Sequence, residues 1–317
     1  METAIVVAEA SPGAMPPGHL ARYTGVCDWL TGSQFDIEPI FLSDRWEEEK
    51  AVRVARVREF ATSSHLRSRV SQAPRVVVLG LSSPHMLWLG SRLCEVSDHV
   101  WLDVCDSTCL AIGAQIRARR VIGSFSPVAA AMLLRRSGRA EGYLYISPRD
   151  LRLDGKLLAE GRGCVVPPPP LPASAMAPVI GPIERVVAPV DVRAFQNRRA
   201  FSWFLDFIGS PQWPRLLPVD IYGPVAPERQ LPDGARYRGW APDLEDVYAG
   251  QTLIFASNMF VTGIPNKVME ALHFARPIVA HEEVLRAIPE AQMVSTFRSR
   301  RSLPQAFYEA LRGFDSA

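Results

Sequence analysis

Gly263, Pro265, Lys267 and Glu270 fall within eight residues and bring together a permissive backbone, a helix start, a cation and a carboxylate. A helix N-terminus presents N–H groups without partners and a partial positive charge, which together favour a phosphate. Gly263 lets backbone approach such a ligand closely. Pro265 stands where a helix would begin, a position at which its missing N–H costs nothing. One turn further in, the Glu270 carboxylate could accept both hydroxyls of a ribose, as acidic residues do in other nucleotide sites. Lys267 is one of three lysines, the remaining 32 of the 35 basic residues being arginine. The plainer alternative is an ordinary strand–loop–helix turn with Glu270 as a solvated surface residue.

These residues need a frame, and the flanking sequence supplies one. Residues 252–256 (TLIFA) form the β-branched and apolar run of a buried parallel strand, and 257–263 form a loop. The helix carries Val268, Ala271, Leu272 and Ala275 at i, i+3, i+4 and i+7, so that face packs inward and leaves Lys267 and Glu270 off it. Pro277 ends the helix, and residues 278–280 are the next buried strand.

The same rhythm runs through the chain. Strands are expected at 3–7, 35–42, 75–79, 99–104, 142–146 and 164–166, with helices at 19–30, 47–70, 83–96, 108–120, 127–136 and 148–160. A proline-rich segment (VVPPPPLPASAMAPVIGP) then breaks the pattern as an extended linker, with the boundary near Pro170. The alternation restarts with strands at 185–190, 219–222, 236–239, 252–256, 278–280 and 293–296 and helices at 200–208, 242–249 and 303–311. The fold class is therefore α/β. Two Rossmann-like domains, residues 1–170 and 171–317, each have a parallel sheet with helices on both faces.

The run TGIPNKVMEALHFARPIVA resembles the donor-site signature of GT-B glycosyltransferases of the family-4 type. There a Gly-rich loop leads into a helix with Lys, then Glu-Ala, then a small-Arg-Pro-apolar run. VVAPVDVRAFQNRRAFSWFL resembles the first strand, loop and helix of the donor domain, and RYRGWAPDLEDVYAG the short strand and helix before the donor loop. The resemblance covers residues 184–282. It implies a glycosyltransferase using a nucleotide-diphosphate sugar, in which Glu270 holds the ribose and the loop of Gly263, Ile264, Pro265 and Asn266 holds the diphosphate through its free N–H groups. Lys267 and an arginine from the first donor loop, Arg193 or Arg198, would add charge at the phosphates. Thr262 stands where the family motif has a second glutamate, which leaves the donor sugar open. The family works in a retaining mode without a bound metal, so neither a metal nor a cofactor is expected beyond the nucleotide sugar. A nucleotide-sugar epimerase of the same shape and a non-catalytic nucleotide-sugar-binding protein are the alternative readings.

On the N-terminal side the candidates are polar residues at strand ends, because α/β ligands bind at the carboxyl ends of strands. His85 follows the third strand, Asp103 and Asp106 end the fourth, and His19 opens the first helix. His85 has the ordinary pKa best suited to taking a proton from an acceptor hydroxyl. Asp106 is its orienting partner or the alternative base. Asp103 and His19 are acceptor-side binding candidates. The acceptor is a glycan, a lipid-linked sugar or another hydroxyl compound.

Composition narrows the classes further. A net charge of +2 gives no general case for nucleic acid. Five cysteines without paired C-x2-C spacing fit a reducing compartment. No apolar run approaches the ~18 residues of a membrane span, and the first residues lack the pattern of a signal peptide, so a cytoplasmic location is expected. Arginine clusters at Arg117, Arg119 and Arg120 and at Arg135, Arg136 and Arg139 flank an apolar run and could dock peripherally on anionic lipid.

Overall fold

A computed structural model describes residues 2–15, 17–44, 50–80, 84–117, 139–155, 163–167, 177–214, 217–241, 243–261, 263–289 and 291–315. The chain divides into two compact units, Met1–Pro170 and Leu171–Ala317.

In the first unit, β1 (Glu2–Ala8), β2 (Phe35–Phe41), β3 (Arg75–Leu79), β4 (Val100–Cys105), β5 (Gly142–Tyr145) and β6 (Gly163–Val165) form a six-stranded sheet in the order β2-β1-β3-β4-β5-β6. All its pairings are parallel. Strand side chains alternate between faces, and the core divides accordingly. Ile5, Val7, Val76 and Val78 pack with α2 (Lys50–Thr62), α3 (Ser64–Gln72) and α4 (Pro84–Leu93). Ala4, Val6, Ala8, Val77 and Leu79 pack with Val26 and Leu30 of α1 (Pro17–Gly32) on the other face. The single helix expected over 47–70 is two helices, because Ser63 takes extended backbone and its hydroxyl accepts from Leu66 N at 3.4 Å, capping α3. Two further helices, α5 (Thr108–Arg117) and α6 (Pro148–Asp154), complete this unit's described α-helices. The Asp154 carboxylate accepts from Thr108 N at 2.8 Å and Cys109 N at 3.0 Å, closing the start of α5.

The second unit repeats the design with β7 (Arg185–Pro189), β8 (Val219–Tyr222), β9 (Ala235–Gly239), β10 (Thr252–Ala256), β11 (Ile278–His281) and β12 (Val294–Phe297). The order is β12-β11-β10-β7-β8-β9, again with every pairing parallel. One face is aromatic. Phe204 of α7 (Phe195–Ile208) stacks on Phe255 at 4.2 Å between centroids and on Phe307 of α11 (Leu303–Asp315) at 5.3 Å. The other face packs Val187, Ile254, Ile278 and Ala280 against Val247 of α8 (Leu244–Tyr248), Val268 and Ala271 of α9 (Asn266–His273) and Val284 of α10 (Glu283–Ala287). The short helix α10 has no counterpart among the expected elements, since five residues carry too little periodicity to register.

The central helix α9 is shorter than its apolar spacing suggested. Pro265 is its N-cap rather than its first helical residue. At the other end Ala275 has φ +51, and its N–H donates to Leu272 O at 3.0 Å while Arg276 N donates to Ala271 O at 2.8 Å. Those two bonds are a Schellman closure with alanine in the left-handed position that glycine normally takes. The helix therefore stops four residues before Pro277.

The described residues lie only partly over the remaining expectations. Thr262, the helix at 127–136, residues 168–176 of the proline-rich segment and Arg119, Arg120, Arg135 and Arg136 fall outside them. Among the described residues no helix is long and apolar enough to cross a membrane.

Candidate functional site

The sheet order of the second unit reverses between β7 and β10, and such a switch point opens a crevice at the carboxyl ends of the two strands. The loops that leave those ends are tied together. Met259 N donates to Gln196 O at 3.0 Å, and Phe195 stacks on Phe260 at 6.3 Å. Gly263, buried and at φ +65, then turns the chain into α9, a conformation that opposes a side chain.

Lys267, in the first turn of α9, reaches back across the switch point. Its Nζ donates to Asn197 Oδ1 at 3.3 Å, behind β7, and to Ser257 Oγ at 3.4 Å, behind β10. Both partners are buried and neutral. Burial pushes the Lys267 ammonium down to about 8, against the opposing fields of Glu270 and Asp191. No side chain caps the first turn of α9, so its start keeps positive character beside this ammonium.

Glu270 lies one turn along, partly buried. Its Oε2 accepts from the Tyr248 hydroxyl at 2.8 Å. Burial raises its carboxyl above the ordinary range, against the Tyr248 bond and the Lys267 charge, which both lower it. Glu270 thus lies off the apolar face, as its spacing indicated, yet it satisfies the hydroxyl of a fully buried tyrosine.

The remaining donor-side candidates take different places. Arg193 is exposed and bound to its neighbour Asp191 at 3.1 Å through both Nε and Nη2. Arg198 is exposed and donates to Val192 O and Arg193 O at 3.0 Å, which fastens the loop after β7. Pro265 is buried, Asn266 is exposed, and Ile264 packs against the core beside Val268. Asn197, Ser257 and Tyr248 complete the cluster. None of the three stands out by type. Only the adjacency of β7 and β10 brings the first two to Lys267.

The first unit also has its switch point, between β1 and β3. Glu9, just past β1, meets His85 in the first turn of α4: His85 Nε2 lies 3.1 Å from Glu9 Oε1. Arg53 of α2 donates to the same oxygen at 2.8 Å. Burial would raise the Glu9 carboxyl, but the His85 bond and the charges of His85, Arg53 and His19 outweigh it and hold it below its ordinary value. Burial lowers the nearby His19, with Glu9 and Arg53 pulling in opposite directions. Glu9, the partner of His85, and Arg53, the partner of Glu9, are therefore residues of this cluster that the sequence reading did not single out.

Asp103 does not join this cluster. It is fully buried and accepts from Arg22 Nε at 3.0 Å and from Arg22 Nη2, while Arg22 Nη1 donates to Val166 O. That arrangement ties α1, β4 and the end of β6 together, so the strand-end aspartate put forward as an acceptor-side candidate is half of an interior ion pair. Asp106 is partly buried and accepts from the Cys105 thiol at 3.6 Å. Among the described residues no group of three metal-binding side chains comes together.

No family model matches the chain. No curated protein matches it either. Solved structures do. WaaG, a glycosyltransferase involved in lipopolysaccharide biosynthesis, superposes with a TM-score of 0.64 at 13% identity, over 98% of this chain and 90% of that one. An α,α-trehalose-phosphate synthase (UDP-forming) from Burkholderia vietnamiensis gives 0.63 at 12% identity, over 99% and 94%. HepE from Anabaena in complex with UDP-glucose gives 0.62 at 10% identity, over 99% and 90%. Identities this low speak for architecture alone, and with the two parallel sheets they show that the chain has the GT-B glycosyltransferase fold, two Rossmann-like domains in one chain.

Proposed function

We propose that this protein is a glycosyltransferase that takes its sugar from a nucleotide-diphosphate donor bound in the second unit. The observation that carries this reading is Lys267, held by two neutral groups at the switch point beside the uncapped start of α9. An ammonium so placed, with helix amides next to it, calls for an anion of the size of a diphosphate. Glu270, one turn away, then accepts the two ribose hydroxyls. In the reaction the bond between the anomeric carbon and the β-phosphate oxygen breaks as the acceptor oxygen bonds to that carbon. Lys267 and the α9 amides stabilise the charge that develops on the departing diphosphate.

The acceptor's proton passes to His85, oriented by Glu9, or to the leaving phosphate itself. The reading includes retention of configuration, no resident metal ion, and a sugar or lipid-linked acceptor met in the cytoplasm at a membrane surface. The UDP-glucose bound to HepE supports the donor class.

A thermal-shift panel of UDP-, GDP- and ADP-sugars tests this directly, because a ligand that binds only the folded state raises the melting temperature. A rise with at least one of them, abolished in Lys267→Ala, is expected. A flat response to the whole panel would sink the reading.

A further inference from the structure

Tyr248 has an environment that packing alone does not require. Its ring is fully buried and stacks on Phe274 at 5.0 Å with an interplanar angle of 14°. Its hydroxyl points out of that stack to Glu270 Oε2 at 2.8 Å, with Lys267 O a second acceptor at 3.4 Å. Its carbonyl accepts from Arg276 Nε, and Arg276 in turn donates to Ala177 O at 2.7 Å. Ring, hydroxyl and carbonyl are therefore all held, and the hydroxyl's partner is the carboxylate. A phenylalanine would fill the same space, so the hydroxyl's contribution lies in what it does to Glu270.

We infer that Tyr248 is a positioning residue for the nucleotide ribose: its buried hydroxyl holds Glu270 in one rotamer, so that the carboxylate meets the 2′- and 3′-hydroxyls of a nucleoside diphosphate. This rests on the donor-site reading above. Both oxygens of a carboxylate are free to accept from two hydroxyls while it is ionised, and burial works against that state. The groups facing Glu270 are Tyr248 from α8 and Lys267 from its own helix, both favouring the ionised form. Tyr248 stays protonated throughout, because burial and the Glu270 charge raise its pKa well above the ordinary value. It therefore remains a donor over the whole working range.

The test uses Tyr248→Phe, which keeps the ring stack, with UDP, GDP and ADP and their 2′-deoxy forms as probes, read by calorimetry from pH 5 to 8. Wild type should prefer the ribo form of whichever diphosphate it binds. In Tyr248→Phe that preference should shrink by about fivefold to tenfold, with the melting temperature near that of wild type. The acid limb of binding should move to higher pH, because removing the hydroxyl leaves burial to raise the Glu270 carboxyl further. Glu270→Gln should show neither the preference nor the limb. An unchanged ribo preference and acid limb in Tyr248→Phe would overturn the inference while leaving the donor site standing. Wild type that binds none of the three diphosphates would overturn both.

Discussion

The two units place their polar clusters at equivalent points of two similar sheets and fill them with opposite chemistry. In the first, the residue after β1 is Glu9, an anion already met by Arg53 and His85. In the second, Lys267 is bonded to an amide and a hydroxyl, Asn197 and Ser257, and the Glu270 and Asp191 carboxylates act on it through their fields alone. A site that carries its own anion suits hydroxyl groups and proton transfer. A site whose cation is hydrogen-bonded to neutral groups alone suits an anionic ligand. The switch-point topology thus decides where ligands go, and local charge balance decides which kind.

The sharpest way to break this comparison is at the interior ion pair of the first unit. Asp103→Ala leaves the Arg22 guanidinium buried without its carboxylate, and should cost about 3–5 kcal/mol in denaturant unfolding. A loss below about 1 kcal/mol would show that Arg22 finds solvent, and would return Asp103 to the pool of surface candidates.

His85→Ala should lower transfer by about a hundredfold if the Glu9–His85 pair handles the acceptor proton. Nucleoside diphosphate affinity should be untouched. A normal turnover rate would remove His85 from the chemistry and leave Asp106 as the better base.

Glu270→Ala should weaken nucleoside diphosphate binding by about 1.5–3 kcal/mol, the worth of charge-assisted bonds to the ribose. It should also lower the melting temperature by a few degrees, because the Tyr248 hydroxyl is left buried without its acceptor. Unchanged affinity in calorimetry would detach Glu270 from the ribose.

Lys267→Met tests the charge imbalance itself. The folded pKa of about 8 lies below the ordinary 10.5, so between these values the unfolded chain binds more protons and stability rises with pH. Below pH 8 both states are protonated and the full burial cost is present. The variant should therefore be the more stable protein at pH 7, by about 1–2 kcal/mol for this partly solvated side chain, and should lose that advantage as pH rises toward 10.5. Its diphosphate binding should be lost. A constant difference across the range would show that Lys267 keeps an ordinary pKa.

The smallest effect concerns the frame of the donor helix. Ala275→Gly relieves the left-handed strain at the end of α9 and should stabilise by about 0.5–1 kcal/mol. A neutral or destabilising result in thermal unfolding would mean that the Schellman closure carries little strain.

Much of this was legible in the residues themselves. Strands such as RVVVL at β3 and TLIFA at β10 are continuous apolar runs, which parallel sheets covered on both faces require, so their places follow from sequence. The loop–helix unit around Lys267 and Glu270 was equally clear, because its determinants lie within eight residues and act through one helix. What lay beyond reach involved groups far apart in the chain. Arg22 and Asp103 are separated by 81 positions, Glu9 and His85 by 76, and Lys267 and Asn197 by 70. Apolar periodicity reports which side of an element is buried, but says nothing of which polar group waits there. That is decided by which strands lie side by side, and burial then forces each polar group onto whatever partner that order supplies.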